Sequence, residues 1–154
     1  MKQIETDICI IGGGSGGLSL AAGAVQMGAR VVLFEGGQMG GDCLNSGCVP
    51  SKALLAAAKA AYLANGNAAM GITNTPPNID FAAVKAHVAD VIAQIEPHDS
   101  IARFEALGVT VIPEMAHFTG PRAVASATHQ VHAKYIVIAS GSQPMLPPIP
   151  GLDQ

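Results

Sequence analysis

The sequence predicts an α/β domain, doubly wound about a mostly parallel sheet, with a small antiparallel β insertion. Three observations carry this reading. Residues 8–11 (Ile-Cys-Ile-Ile) are an unbroken apolar run, the pattern of a strand buried on both faces. The turn Gly12-Gly13-Gly14-Ser15-Gly16-Gly17 follows at once and opens a stretch of helical length. Val31, Val32, Leu33 and Phe34 then make a second apolar run, closed by Glu35. Strand, glycine turn, helix, strand and acid compose one βαβ unit of Rossmann-like type.

The elements follow in order. The first strand is expected over 4–11 and the first helix from Ser15 to Met27, ended by Gly28. The second strand is placed at 30–34 and a loop at 36–45. A helix should begin at Gly47 or Cys48 and run to Ala64, with Pro50 tolerated in its first turn. Asn65-Gly66-Asn67 ends it, and 71–78 reads as a polar connection. Asp80 is positioned to cap a long helix from Phe81 towards Leu107, which Pro97 should kink or split near Glu96. After Gly108, short strands are expected at 109–112, 116–119, 123–127 and 130–133. Another at 135–139 leads into Ser140-Gly141-Ser142. The end, with Pro144, Pro147, Pro148 and Pro150, reads as an extended linker. The reading is therefore one domain over 1–150, with 151–154 beginning a linker to a domain not in this chain.

Composition narrows the function. Of 154 residues only 12% are charged, and mean hydropathy is +0.38, so part of the surface should face a cofactor, further domains or a partner subunit. A net charge of −3 leaves no basic footprint for nucleic acid or anionic lipid. Four per cent aromatics and no Trp leave little to stack on single strands. Residues 8–29 are apolar, but their clustered glycines disfavour a membrane helix, and Lys2 alone is a thin signal-peptide n-region. The alanine-rich stretch 53–64 reads as close helix packing. The expectation is a soluble, cytoplasmic protein with no membrane or nucleic-acid partner. Three cysteines are too few for a disulfide-stapled secreted fold.

Two motifs carry chemistry. Gly12-x-Gly14-x-x-Gly17 supplies a tight turn, close backbone approach to a pyrophosphate and close helix–strand packing. Glu35 lies where a ribose hydroxyl needs an acceptor, and its charge disfavours a 2′-phosphate, so the ligand should be FAD or NAD rather than NADP. A merely structural glycine turn would leave Glu35 unexplained. The second motif is Cys43 and Cys48, separated by four residues at a helix start. A helix N-terminus stabilises a thiolate, which favours Cys48 as the anion and leaves Cys43 to meet a substrate. Competing readings are a zinc site, for which two further ligands at suitable spacing are missing, a structural disulfide, and two unrelated thiols. No metal site is expected. Lys52, one helical turn beyond Cys48, is either a cation beside the redox centre or a solvated lysine. Cys9 reads as a buried small hydrophobe. His87, His98, His117, His129 and His132 are scattered and read as surface or satisfied residues.

The block from Gly40 to Leu55, GGDCLNSGCVPSKALL, resembles the active-site signature of the class I pyridine nucleotide-disulfide oxidoreductases. The likeness extends to the glycine turn with Glu35, to His117-Phe118-Thr119-Gly120-Pro121 and to Ile136-Val137-Ile138-Ala139-Ser140-Gly141-Ser142. It implies a non-covalent FAD contacted by Gly12, Gly14, Ser15, Gly16, Gly17, Glu35, Gly41, Asp42, Cys43, Lys52, the backbone near Ala116, and Ala139, Ser140 and Gly141. It further implies that Cys48 is the thiol against the flavin, Cys43 the interchange thiol, and Lys52 a cation by the reactive flavin edge. Asp42 departs from the threonine of many members, so its charge must be turned away or offset. Ser140 replaces another threonine and keeps the hydroxyl.

Members are about three times as long. The resemblance thus implies an NAD(P)H domain and a dimerisation domain beyond residue 154, and a homodimeric parent whose partner supplies a histidine base. The segment alone should not turn over. The expected substrates are a small-molecule disulfide or dithiol, as in the dihydrolipoamide branch, or a soft metal ion, as in the mercuric branch. Two other readings stand beside this one: a flavin reductase passing electrons directly to a quinone or oxygen, and a stand-alone FAD-binding redox module.

Overall fold

The computed structural model describes residues 1–142 and 145–152; Pro144 of the proline-rich end and residues 153–154 of the expected linker lie outside the described residues. Strand β1 (Lys2–Ile11) leads through the glycine turn into helix α1 (Ser15–Gln26), and β2 (Val31–Phe34) lies parallel beside it. Helices α2 (Gly41–Asn45) and α3 (Cys48–Ala64) follow. A small hairpin of β3 (Gly66–Asn67) and β4 (Ile72–Thr73) separates α3 from α4 (Phe81–Asp99) and α5 (Ile101–Ala106). The remaining strands are β5 (Val109–Ile112), β6 (His117–Gly120), β7 (Ala123–Ala125) and β8 (His129–Ile138).

The main sheet has the order β5-β2-β1-β8-β7-β6. Its first four strands are parallel, and β7 and β6 extend it as antiparallel neighbours. The chain leaves β1 towards β2 on one side and returns through β8 on the other. The C-terminal ends of β1 and β8 therefore flank a topological switch point, where open α/β sheets bind ligands.

Alternation along the strands sorts the core into two layers. Ile10, Leu33, Val109 and Val111 pack against Leu18, Ala21 and Ala24 of α1 and Phe104 of α5. On the opposite face Cys9, Val32, Phe34 and Ile112 join Val124, Val131 and Ala133, and among the described residues no helix contributes. Helical cover thus lies on one face, and the antiparallel strands contribute to the core of the other. Cys9 is buried, as expected, and burial pushes its thiol up to about 12.

Four local expectations are corrected. The segment expected as two strands, 130–133 and 135–139, is the single strand β8, paired with β1 from Lys2↔His129 to Ile11↔Ile138. Lys134 breaks the apolar pattern, but its ammonium reaches Asp7 Oδ1 at 2.8 Å, so the strand runs on through it. The expected strands at 116–119 and 123–127 are observed as His117–Gly120 and Ala123–Ala125. The loop 36–45 contains the short helix α2. Pro97 does not split the long helix near Glu96. It sits inside the last turn of α4, and the break falls at Ser100, which is extended (φ −70, ψ 152). Ser100 Oγ donates to Pro97 O at 2.9 Å and accepts from Arg103 N at 3.2 Å, which ends one helix and caps the next. The Asp80 cap is as expected, with Oδ1 accepting from Ala82 N at 2.9 Å and Ala83 N at 3.1 Å. No helix among the described residues is long and apolar enough to cross a membrane.

Candidate active site

The glycine turn is shaped by contacts that exclude side chains. Gly12 has φ +114, and a Cβ there would lie 2.1 Å from Ala139 O, because β8 ends against the turn. A Cβ on Gly17 would lie 1.9 Å from Gly12 O, so α1 starts as close to β1 as backbone allows. These are the first and third roles assigned to the motif from sequence. Gly12 N donates to Phe34 O and Ala139 N to Ile11 O, both at 2.8 Å, tying the turn to the sheet ends.

Glu35 is fixed from both sides. Gly13 N donates to its Oε2 and Gly37 N to its Oε1, each at 2.6 Å. Each oxygen keeps a lone pair, and the carboxylate faces the cavity as a held acceptor. Gly40 N donates to Gly13 O at 2.9 Å, joining the cysteine loop to the glycine turn, and Asn45 Nδ2 donates to Met39 O at 3.0 Å and Gly41 O at 2.9 Å, bracing the loop itself.

Between these loops lies a cavity of about 810 Å³. Of the residues singled out from sequence, Gly12, Gly14, Ser15, Gly16, Glu35, Gly41, Asp42, Cys43, Ala139, Ser140 and Gly141 line it. Gly17 lies behind the turn. Lys52 and Cys48 are exposed outside the lining, and Ala116 packs on the second core layer instead. Sequence reasoning missed Gly37, Gln38, Asn45, Ser46 and Ser142, which also line the cavity. The glycine-rich and serine-rich character of those loops was the available signal. Backbone and small side chains dominate the wall, and among the described residues no Lys, Arg or His belongs to it. Asp42 is therefore neither withdrawn from the cavity nor offset by a cation lining it. The glycine cradle, the α1 N-terminus and the fixed acceptor suit a dinucleotide with its pyrophosphate on the turn and its ribose at Glu35.

The dithiol adjoins this cavity. Cys48 is the first residue of α3, behind Gly47, and is exposed; Cys43 lies in α2 and is half-buried. Both thiols are free in this structure. The Cys43 thiol is pushed above its ordinary value, first by hydrogen bonding with Cys48, then by desolvation and the Cys48 charge; Lys52 opposes the rise and Asp99 adds to it. The two sulfurs and Lys52 thus act on one another, as the spacing in sequence requires. Among the described residues no group of three or more His, Cys, Asp or Glu is placed to hold a metal ion.

A dinucleotide cradle at the switch point of an α/β sheet, with a dithiol at its rim, defines a nucleotide-linked dithiol–disulfide module. Comparison gives it a family. A model of the pyridine nucleotide-disulphide oxidoreductases matches residues 6–154, and the chain belongs to that family, as the cysteine block implied. Mercuric reductase of Streptomyces lividans is 38% identical over 100% of this chain and 34% of its own length. Mercuric reductase of Bacillus cereus is 34% identical over 97% of this chain and 24% of its own. Dihydrolipoyl dehydrogenase of Pseudomonas aeruginosa is 36% identical over 97% and 34%. A solved structure, the Cu(II) complex of the HOCl-induced flavoprotein disulfide reductase RclA from Escherichia coli, superposes with a TM-score of 0.77 at 26% identity, covering 96% of this chain and 30% of that one. The chain spans about a quarter to a third of the length of these relatives.

Proposed function

We propose that the chain is the FAD- and dithiol-bearing part of an NAD(P)H-linked disulfide oxidoreductase. The observation that carries this is the adjacency of a dinucleotide-shaped cavity to a thiol pair, with Cys43 in its wall. The glycine turn holds the pyrophosphate and Glu35 the adenosine ribose; Ser140 and Gly141 contact the cofactor on its other side. Binding is non-covalent, a reading supported by a wall of backbone and small polar side chains suited to hold the cofactor by hydrogen bonds. Bound FAD supplies the two-electron relay between a nicotinamide hydride and the Cys43–Cys48 disulfide.

The protein's own residues perform the sulfur chemistry. In the reduced pair, Cys43 thiolate attacks a substrate disulfide, forming a mixed disulfide and expelling one thiolate. Cys48 thiolate then attacks the Cys43 sulfur, closing the Cys43–Cys48 disulfide and expelling the second thiolate. Two electrons pass to the substrate, and the reverse sequence oxidises a dithiol. The hydrogen bond with Cys48 holds the Cys43 thiol above its ordinary value, and the Lys52 charge works against that rise and so favours the attacking Cys43 thiolate. The substrate is a small-molecule disulfide or dithiol, or a soft metal ion taken by the thiols. The parent is a homodimer in the cytoplasm, a reading supported by the resemblance of the cysteine block to the class I enzymes and by a cysteine count too low for a disulfide-stapled secreted fold.

The test is the visible spectrum of the purified protein with FAD, before and after one two-electron equivalent of reductant. New long-wavelength absorbance with the flavin still oxidised, lost in Cys48→Ser, is the expected result. Bound flavin that bleaches identically in Cys48→Ser would uncouple the thiols from the cofactor and refute the proposal.

A further inference from the structure

Asp99 was not singled out by its sequence. It is the last residue of α4, and the break at Ser100 points the chain away immediately after it. Its side chain is half-buried against the turn that opens α2: Oδ2 lies 3.1 Å from where a Cβ on Gly40 would sit. Gly40 caps the five-residue helix that carries Cys43, so the carboxylate overlooks the segment presenting the interchange thiol. Among the described residues Asp99 makes no ion pair, so its charge is not cancelled by a cation. The charge is felt at Cys43, against the opposing charge of Lys52.

We infer that Asp99 is a specificity-determining residue for thiol exchange at Cys43, selecting cationic or neutral disulfides over anionic ones. The inference rests on the proposal that Cys43 is the exchanging thiol. In the exchange step a sulfur–sulfur bond forms to Cys43 as the substrate disulfide bond breaks, and the departing half carries the electron pair as a thiolate. A substrate bearing carboxylates must bring further negative charge beside Asp99, whereas an ammonium is attracted there. At a half-buried site open to solvent one charge contact of this kind changes a rate about two- to fivefold, and salt screens it.

The experiment uses the full chain as a Cys48→Ala variant, in which the mixed disulfide at Cys43 cannot be resolved and accumulates for mass spectrometry. Reaction rates are measured with cystamine, a cationic disulfide, and dithiodiglycolate, an anionic one, at low and high salt. The expected cystamine-to-dithiodiglycolate ratio falls at least twofold on adding Asp99→Asn, is kept in Asp99→Glu, and falls on adding 0.5 M salt without any Asp99 change. A ratio indifferent to Asp99→Asn overturns the inference, as does a ratio indifferent to salt in the Asp99 protein. A Cys43 that reacts with neither probe refutes the exchange role itself, which separates that failure from the loss of charge selection.

Discussion

Two glycines of one helix should respond to alanine in opposite directions. Gly17 and Gly23 both lie in α1 without positive φ, so alanine brings each the same gain in helix propensity, about 1 kcal/mol. At Gly23 a Cβ meets nothing within 4 Å. Gly23→Ala should therefore stabilise by about 1 kcal/mol, raising Tm by about 2–4 °C for a domain of this size. At Gly17 the Cβ would lie 1.9 Å from Gly12 O, a backbone atom held by the β1–β2 hydrogen bonding beside it. Relief needs α1 to withdraw from the sheet, a strain of about 3 kcal/mol. Subtracting the propensity gain leaves a loss of about 2 kcal/mol and a fall in Tm of about 4–8 °C. Thermal melts followed by far-ultraviolet circular dichroism decide it. Equal Tm values for the two variants would refute the assignment of the third motif glycine to helix–strand packing.

Two further outcomes follow from the same geometry. Gly16 lines the cavity, and a Cβ there meets no protein atom within 4 Å, so Gly16→Ala should hold or raise Tm while weakening FAD binding, read by fluorescence titration. The Glu114 carboxyl is held down at about 2 by hydrogen bonds from Ser126 and then Thr128, against an ordinary 4.5. A carboxyl depressed by folding contributes stability that is complete above 4.5 and is lost as pH falls towards 2. Glu114→Gln should lower the urea midpoint at pH 7, and the gap to the native protein should shrink below pH 4.5 and close as pH approaches 2; a constant gap across that range would contradict the linkage.

The local chemistry was legible because it is encoded by neighbours in sequence. Gly12 to Gly17 specify a turn whose backbone can approach a phosphate, and Cys43 to Lys52 place two sulfurs and a cation around one helix start. Periodicity failed where long-range pairing outweighed it. The break expected at Lys134 disappears because β1 pairs β8 on both sides of it and Asp7 receives the lysine. Pro97 is expected to kink or split the helix near Glu96, yet it stands inside α4, and the Ser100 cap decides where α4 stops.

Sequence by itself determined the βαβ unit, the dinucleotide turn with its acid, and the dithiol helix, since each depends on contacts within a few tens of residues. Only the tertiary structure decided that Glu35 is clamped by Gly13 and Gly37, that Ala139 closes the turn over Gly12, and that Asp99 reaches the Cys43 segment. Those relations join residues brought together by sheet order and helix packing. The free energy that holds them comes from burial across the whole sheet, which no local pattern records.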